Sequence, residues 1–166
     1  MNKKGNMNKK TVIFDLDGTL ALIDKRRAVA GVTPGAPQAS NPQMNWDAFL
    51  DPKNIDLDDP NPPVIKMAQM LHSQGFNIVI FSGRSARTQD ATIDWLNQHN
   101  VPYDDLHMRP TDKYWHYMAD NKIKQHWLDT LVDKDDVFAV FDDRQQVVDM
   151  WRANGLTCFQ VAKGDF

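Results

Sequence analysis

From Thr11 onward, short runs rich in Val, Ile and Phe alternate with longer amphipathic stretches, and this alternation is what most limits the possible fold. The runs at 11–16, 77–81, 106–109, 137–141 and 157–161 have the composition of strands buried on both faces. Between them, Pro62-Pro63 opens a stretch with the apolar stripe Val64, Ile65, Ala68 and Leu71, closed by Gly75. That is an amphipathic helix with a proline start and a glycine suited to a left-handed end. The segment 144–154 repeats the device around Val147, Val148 and Trp151, with Gly155 after it, and two more helices are predicted at 88–99 and 115–132. The pattern predicts an α/β chain, a Rossmann-like, mainly parallel sheet flanked by helices.

Composition narrows the function classes. With 166 residues and 42% hydrophobic content the chain can bury a core of its own, so one domain at 11–166 is expected behind a basic leader at 1–10 that repeats Met-Asn-Lys-Lys. The one cysteine, Cys158, rules out a disulfide framework or a cysteine-rich zinc site and reads as a core residue. The apolar runs are too short for a bilayer and no signal peptide follows the first charges, so a soluble, cytoplasmic protein is expected, with no membrane partner. His72, His99, His107, His116 and His126 lack paired metal-ligand spacing, and neither a G-x-x-x-x-G-K-[ST] loop nor a G-x-G-x-x-G turn occurs, which disfavours zinc, ATP and dinucleotide sites. A net charge of −3 gives no broad positive field for coating duplex nucleic acid; such a substrate would be gripped locally, for instance by Lys25-Arg26-Arg27.

Residues 22–60 differ from the rest, with Gly31, Gly35 and prolines at 34, 37, 42, 52 and 60 among polar residues, and read as a small cap insert after the first strand. Trp46, Phe49 and Leu50 share helical spacing behind Asn45, which predicts one short helix, either a lid or a structural loop on the sheet edge.

The chemistry sits where strands end. The first apolar run drives into Asp15-Leu16-Asp17-Gly18-Thr19; residues two apart on a strand point the same way, so both carboxylates are expected to project together from its carboxyl end. Carboxylates side by side repel, which calls for a cation, shared proton work, or both. The run at 77–81 leads into Ser82-Gly83-Arg84 and the run at 137–141 into Asp142-Asp143-Arg144, so parallel strands would bring all of these to one sheet edge, where open α/β sheets bind ligands. Asp120 and Lys124, four apart on a predicted helix, form an acid-then-base pair that is an ordinary salt bridge unless that helix starts near the same edge.

Together, DLDGTL at 15–20, Ser82, Lys124 and Asp142-Asp143 resemble, in order and context, the four motifs of the haloacid-dehalogenase-like (HAD) phosphohydrolases. Ser82-Gly83-Arg84, the D-x-x-x-K of Asp120 to Lys124 and the C-terminal DDRQQVVDMWR…CFQVAKGDF are further similar to the 3′-phosphatase domain of bacteriophage polynucleotide kinase/phosphatase, which implies a nucleic-acid repair role and, for a phage protein, the host cytoplasm. The resemblance implies Asp15 as nucleophile, Asp17 as acid/base, and Ser82 and Lys124 holding the phosphoryl group. It implies a Mg²⁺ site from Asp15, the Asp17 carbonyl, Asp142 and Asp143, with Arg26, Arg84 and Asp120 binding and positioning substrate. The kinase domain of the phage enzyme has no counterpart in this sequence, which leaves the polymer substrate open.

The implied chemistry is physically coherent: a hard, oxygen-liganded cation offsets the repulsion between an attacking carboxylate and a phosphate. A second aspartate suits an alkoxide leaving group, which needs a proton, better than a halide, which does not. The expected activity is a Mg²⁺-dependent phosphomonoesterase working through an aspartyl-phosphate on phosphorylated nucleic-acid 3′ ends. The alternatives are a nucleotidase or small-molecule phosphatase, or a non-catalytic binding module.

Overall fold

The structure is a computed structural model and describes residues 10–32 and 44–164; the basic leader up to residue 9 and insert residues 33–43 lie outside the described residues. Strands are β1 (Thr11–Phe14), β2 (Ala21–Leu22), β3 (Asp59–Pro60), β4 (Asn77–Ser85), β5 (Asp105–Arg109), β6 (Val137–Asp142) and β7 (Cys158–Gln160). Helices are α1 (Asp24–Val29), α2 (Trp46–Phe49), α3 (Pro62–Ser73), α4 (Gln89–Gln98), α5 (Lys113–His116), α6 (Asp120–Leu131) and α7 (Gln145–Ala153).

Five strands form one parallel sheet in the order β5-β4-β1-β6-β7, so β1 is central and hydrogen-bonded on both sides. Its alternation divides the core: Val12 and Phe14 face α3 and α4 with Ile65, Ala68, Trp95 and Leu96, whereas Ile13 faces α6 and α7 with Ile123, Trp127, Val148 and Trp151. Trp95 and Trp151 are fully buried, and truncating either to alanine costs about 3–5 kcal/mol. On the insert side β2 and β3 pair antiparallel, Ala21 with Pro60 and Leu22 with Asp59, and close the neck of the segment between them. Within it α1 and α2 share a small cluster of Ile23, Ala30 and Phe49. Among the described residues no helix is long and apolar enough to cross a membrane.

Three elements differ from the sequence expectation. β1 stops at Phe14, and the next residues turn tightly, with the Leu16 carbonyl accepting from the N–H groups of Thr19, Leu20 and Ala21 and Gly18 at φ 87°. β4 continues through Ser85, and the register against β5 skips from the Ser82–Met108 pair to Ser85–Arg109, leaving Gly83 and Arg84 unpaired. The helix expected at 115–132 is two helices: Asp112 caps α5 through the N–H groups of Tyr114 and Trp115, Ala119 is extended, and α6 starts at Asp120. The sequence also gave no sign of α1, whose residues DKRRAV carry no apolar stripe.

Candidate active site

At the carboxyl end of β1, Asp15 keeps to the sheet, its N–H donating to the Phe141 carbonyl, and its side chain follows the parity of Ile13 toward α6. There Lys124 Nζ donates to Asp15 Oδ1 at 2.6 Å and to Asp142 Oδ2 at 2.8 Å. Asp142 ends β6, and its carboxylate is fixed by the Trp151 indole N–H at 3.1 Å and by the N–H of Asp143 at 2.9 Å. Thr19 ties the group together, its hydroxyl lying 3.0 Å from Asp15 Oδ2 and 3.4 Å from Asp143 Oδ1.

Asp15, Asp142 and Asp143 are all buried, and each offers a carboxylate oxygen within 4.8 Å of the others. Burial, followed by repulsion from Asp142 and Asp143, pushes the Asp15 carboxyl well above its ordinary value although Lys124 pulls it down. Burial and Asp142 push Asp143 up to about 7. Lys124 is driven the other way: burial opposes its charge, but Asp142 and Asp15 hold the ammonium well above its usual range. Three carboxylates against one ammonium leave −2. The donor set is all hard oxygen, and its spacing is one that an ion with ligands at about 2.0–2.6 Å can bridge, so these residues fit Mg²⁺ or a similar divalent cation.

Asp17, two residues on, goes elsewhere. Its Oδ1 accepts from Arg26 Nη2 at 2.7 Å, from Arg84 Nε at 3.1 Å, and from Arg84 Nη2. Asp58 completes this group, accepting from Arg26 Nε at 2.9 Å and Arg84 Nη2 at 2.8 Å, while its carbonyl takes the Trp95 indole N–H. Arg26 is fully buried, with its guanidinium 4.3 Å from the Phe49 ring centroid. Burial alone would raise the Asp17 carboxyl, but Arg26 and Arg84 outweigh it and hold the group below its ordinary value. For Asp58 burial dominates and pushes it up to about 6.

A third group carries Asp120 at the start of α6. Arg109 and Arg144 both donate to its carboxylate, and Arg109 also spans the Gly83, Trp115 and Met118 carbonyls. Gly83 is required here, because a Cβ would lie 2.5 Å from Asp120 Oδ1. Gly164 is required over the acidic cluster in the same way: a Cβ there would meet Asp143 Oδ2 at 2.6 Å and the Arg144 backbone at 2.7 Å.

The three groups open on one cavity of about 620 Å³, with Asp15, Asp17, Lys124, Asp142 and Asp143 in its wall. Asp15 and Asp17 therefore share a cavity but not their partners, since the strand period that would pair them ends at Phe14. Ser82 is fully buried, its hydroxyl accepting from the Arg84 N–H, and Gly83 takes its place in the wall. Arg26 and Arg84 reach the site, but their forks hold Asp17 and Asp58 rather than presenting an open grip. Asp58 and Arg109 are site residues that the sequence reading does not reach, and Thr19 and Arg144, though in the strand-end segments it singles out, receive no role there. Arg109 ends a strand, so the strand-end rule that picks out Asp142 would have found it; nothing local distinguishes Asp58 from its acidic neighbours.

Residues 42–166 match the family of the polynucleotide kinase PNKP phosphatase domain. A chain in a structure of a Pnkp1/Rnl/Hen1 complex is 35% identical, with TM-score 0.73, over 97% of this chain and 48% of that one. A chain in a structure of the Pnkp1/Rnl/Hen1 RNA repair complex is 36% identical, with TM-score 0.72, over 95% and 44%. The chain thus spans about half the length of these two relatives. A haloacid-dehalogenase-like hydrolase from Streptococcus pneumoniae, 17% identical with TM-score 0.59 over 92% of this chain and 84% of that one, shares the fold.

Proposed function

This chain belongs to the polynucleotide kinase PNKP phosphatase domain family, within the HAD-like phosphatases, and on that premise we propose that it removes 3′-phosphates from nucleic-acid ends with Mg²⁺. The observation that carries the reading is the Asp15, Asp142, Asp143 and Lys124 cluster, three buried carboxylates on one ammonium, with the attacking carboxylate of Asp15 among them. A divalent cation held by Asp15, Asp142, Asp143 and the Asp17 carbonyl would offset the repulsion between carboxylate and phosphate.

An Asp15 oxygen attacks phosphorus, and the bond to the 3′ oxygen breaks as the aspartyl-phosphate forms. Lys124 steadies the phosphoryl oxygens, and Ser82, with the turn at Gly83, supports that pocket. Asp17 delivers a proton to the leaving 3′ oxygen and then takes one from the water that hydrolyses the acyl-phosphate, which restores Asp15. In the free protein the arginines hold Asp17 ionised through Oδ1, so its acid role requires Arg26 and Arg84 to turn part of their hydrogen bonding to the incoming phosphate, whereupon Asp17 takes up from solvent the proton that it delivers. Asp58 then keeps both guanidiniums in place, and Asp120, braced by Arg109 and Arg144, positions Gly83.

The test is phosphate release, with Mg²⁺, from a 3′-phosphorylated oligonucleotide, the 5′-phosphorylated strand and free nucleotides. The 3′ end should have the highest kcat/KM. Preference for free nucleotides would turn the reading into a nucleotidase, and release from none of them would overturn it.

A further inference from the structure

The cavity is far larger than one phosphoryl group, within the roughly 300–1,000 Å³ of sites that enclose whole small molecules, so something beyond the reacting phosphate belongs in it. Its charged lining does not say what: five arginine and lysine side chains face five aspartates, so a polyanion gains little net attraction there. Its aromatic lining does. Of the large hydrophobic residues left exposed among the described residues, the two that line this cavity are Trp46 and Tyr117, 53% and 86% exposed. They come from unrelated stretches, Trp46 from α2 of the insert and Tyr117 from the link between α5 and α6. Each meets its aromatic neighbour in an edge-to-face pair, Trp46 with Phe49 at 86° and Tyr117 with His116 at 89°, an arrangement in which that neighbour covers at most one face of the ring.

We infer that Trp46 and Tyr117 form a stacking site for the terminal bases of a single-stranded 3′ end, which sets the enzyme's preference for polynucleotides. The inference rests on the function proposed above and deepens it. Stacking is tolerant of sequence because every base has a π-face, and it supplies the affinity that a charge-balanced cavity does not. Few phosphates are neutralised, so binding weakens only gently with salt.

The experiment compares a short 3′-phosphorylated strand with the same strand made abasic at its terminal positions. In wild type the ratio of their kcat/KM values should be about 10, expressed mainly in KM. In Trp46→Ala/Tyr117→Ala the ratio should collapse toward 1, while Trp46→Phe/Tyr117→Phe, which keeps both ring faces, should retain it. A ratio near 1 in wild type, or one unchanged in the alanine variant, overturns the stacking site alone. Wild type that releases phosphate from neither strand overturns the function proposed above as well.

Discussion

Asp15 and Asp17 are two residues apart and line one cavity, yet they belong to clusters of opposite character. Around Asp15, three carboxylates meet one ammonium and the sum is −2; around Asp17, two carboxylates meet two guanidiniums and the sum is zero. The first cluster strains against its own charge, with Asp15 and Asp143 held up in the protonated direction; the second holds Asp17 down. A buried charge left without a partner is costly, so an unbalanced cluster gains from a counterion where a balanced one does not. The Asp15 cluster has the charge to take a cation and, on the proposed function, a phosphoryl group, whereas the Asp17 cluster is balanced within itself.

The strongest way to break this comparison is to remove Asp15, the proposed nucleophile. Asp15→Asn should lower kcat by about 10⁴-fold or more while melting, in chelator, no lower than wild type, because it relieves the uncompensated charge. Appreciable residual turnover would refute Asp15 as the attacking group. Next, Asp58→Ala unbalances the complete cluster, leaving two buried guanidiniums to one carboxylate. It should cost about 3–5 kcal/mol in urea unfolding, and Asp58→Ala that unfolds like wild type would show that the arginines do not depend on Asp58.

The cation separates the clusters more gently. Asp143 titrates near 7 and Asp58 near 6 in the folded chain, above the ordinary aspartate value, so between about pH 4 and 7 the native state binds more protons than the unfolded state. Stability without metal should therefore fall as pH rises through that window. Mg²⁺ at about 100 times its Kd should restore roughly 2.7 kcal/mol at pH 8 and much less at pH 5, where Asp143 is protonated. Thermal melts of wild type and Asp143→Asn with Mg²⁺ or chelator check this, and an increment that survives in Asp143→Asn would place the ion elsewhere. The smallest effect is expected of Gly83→Ala, whose Cβ presses on Asp120: about 1–3 kcal/mol of stability and a KM rise with kcat largely kept.

Much of this site was legible from the chain because it follows the ends of strands. Asp15, Gly83 and Asp142 sit where apolar runs stop, and parallel strands bring such ends together whatever else the fold does. Lys124 became legible once α6 began at Asp120 beside the same edge, one turn from the site. Asp58 and α1 were illegible. Asp58 lies in an acidic run with no periodic signal, and α1 gives up an apolar stripe to carry Arg26 inward.

By itself, then, the sequence determined an α/β chain with its acidic residues at the strand ends, because strand period and strand termination are local properties of neighbouring residues. Only the tertiary structure decided that Asp15 and Asp17 part company, and that Asp58 joins one of them. Those contacts close over 32 and 67 residues of chain, from Arg26 to Asp58 and from Asp17 to Arg84, and the burial that sets their charge balance exists only after the insert has packed against the sheet.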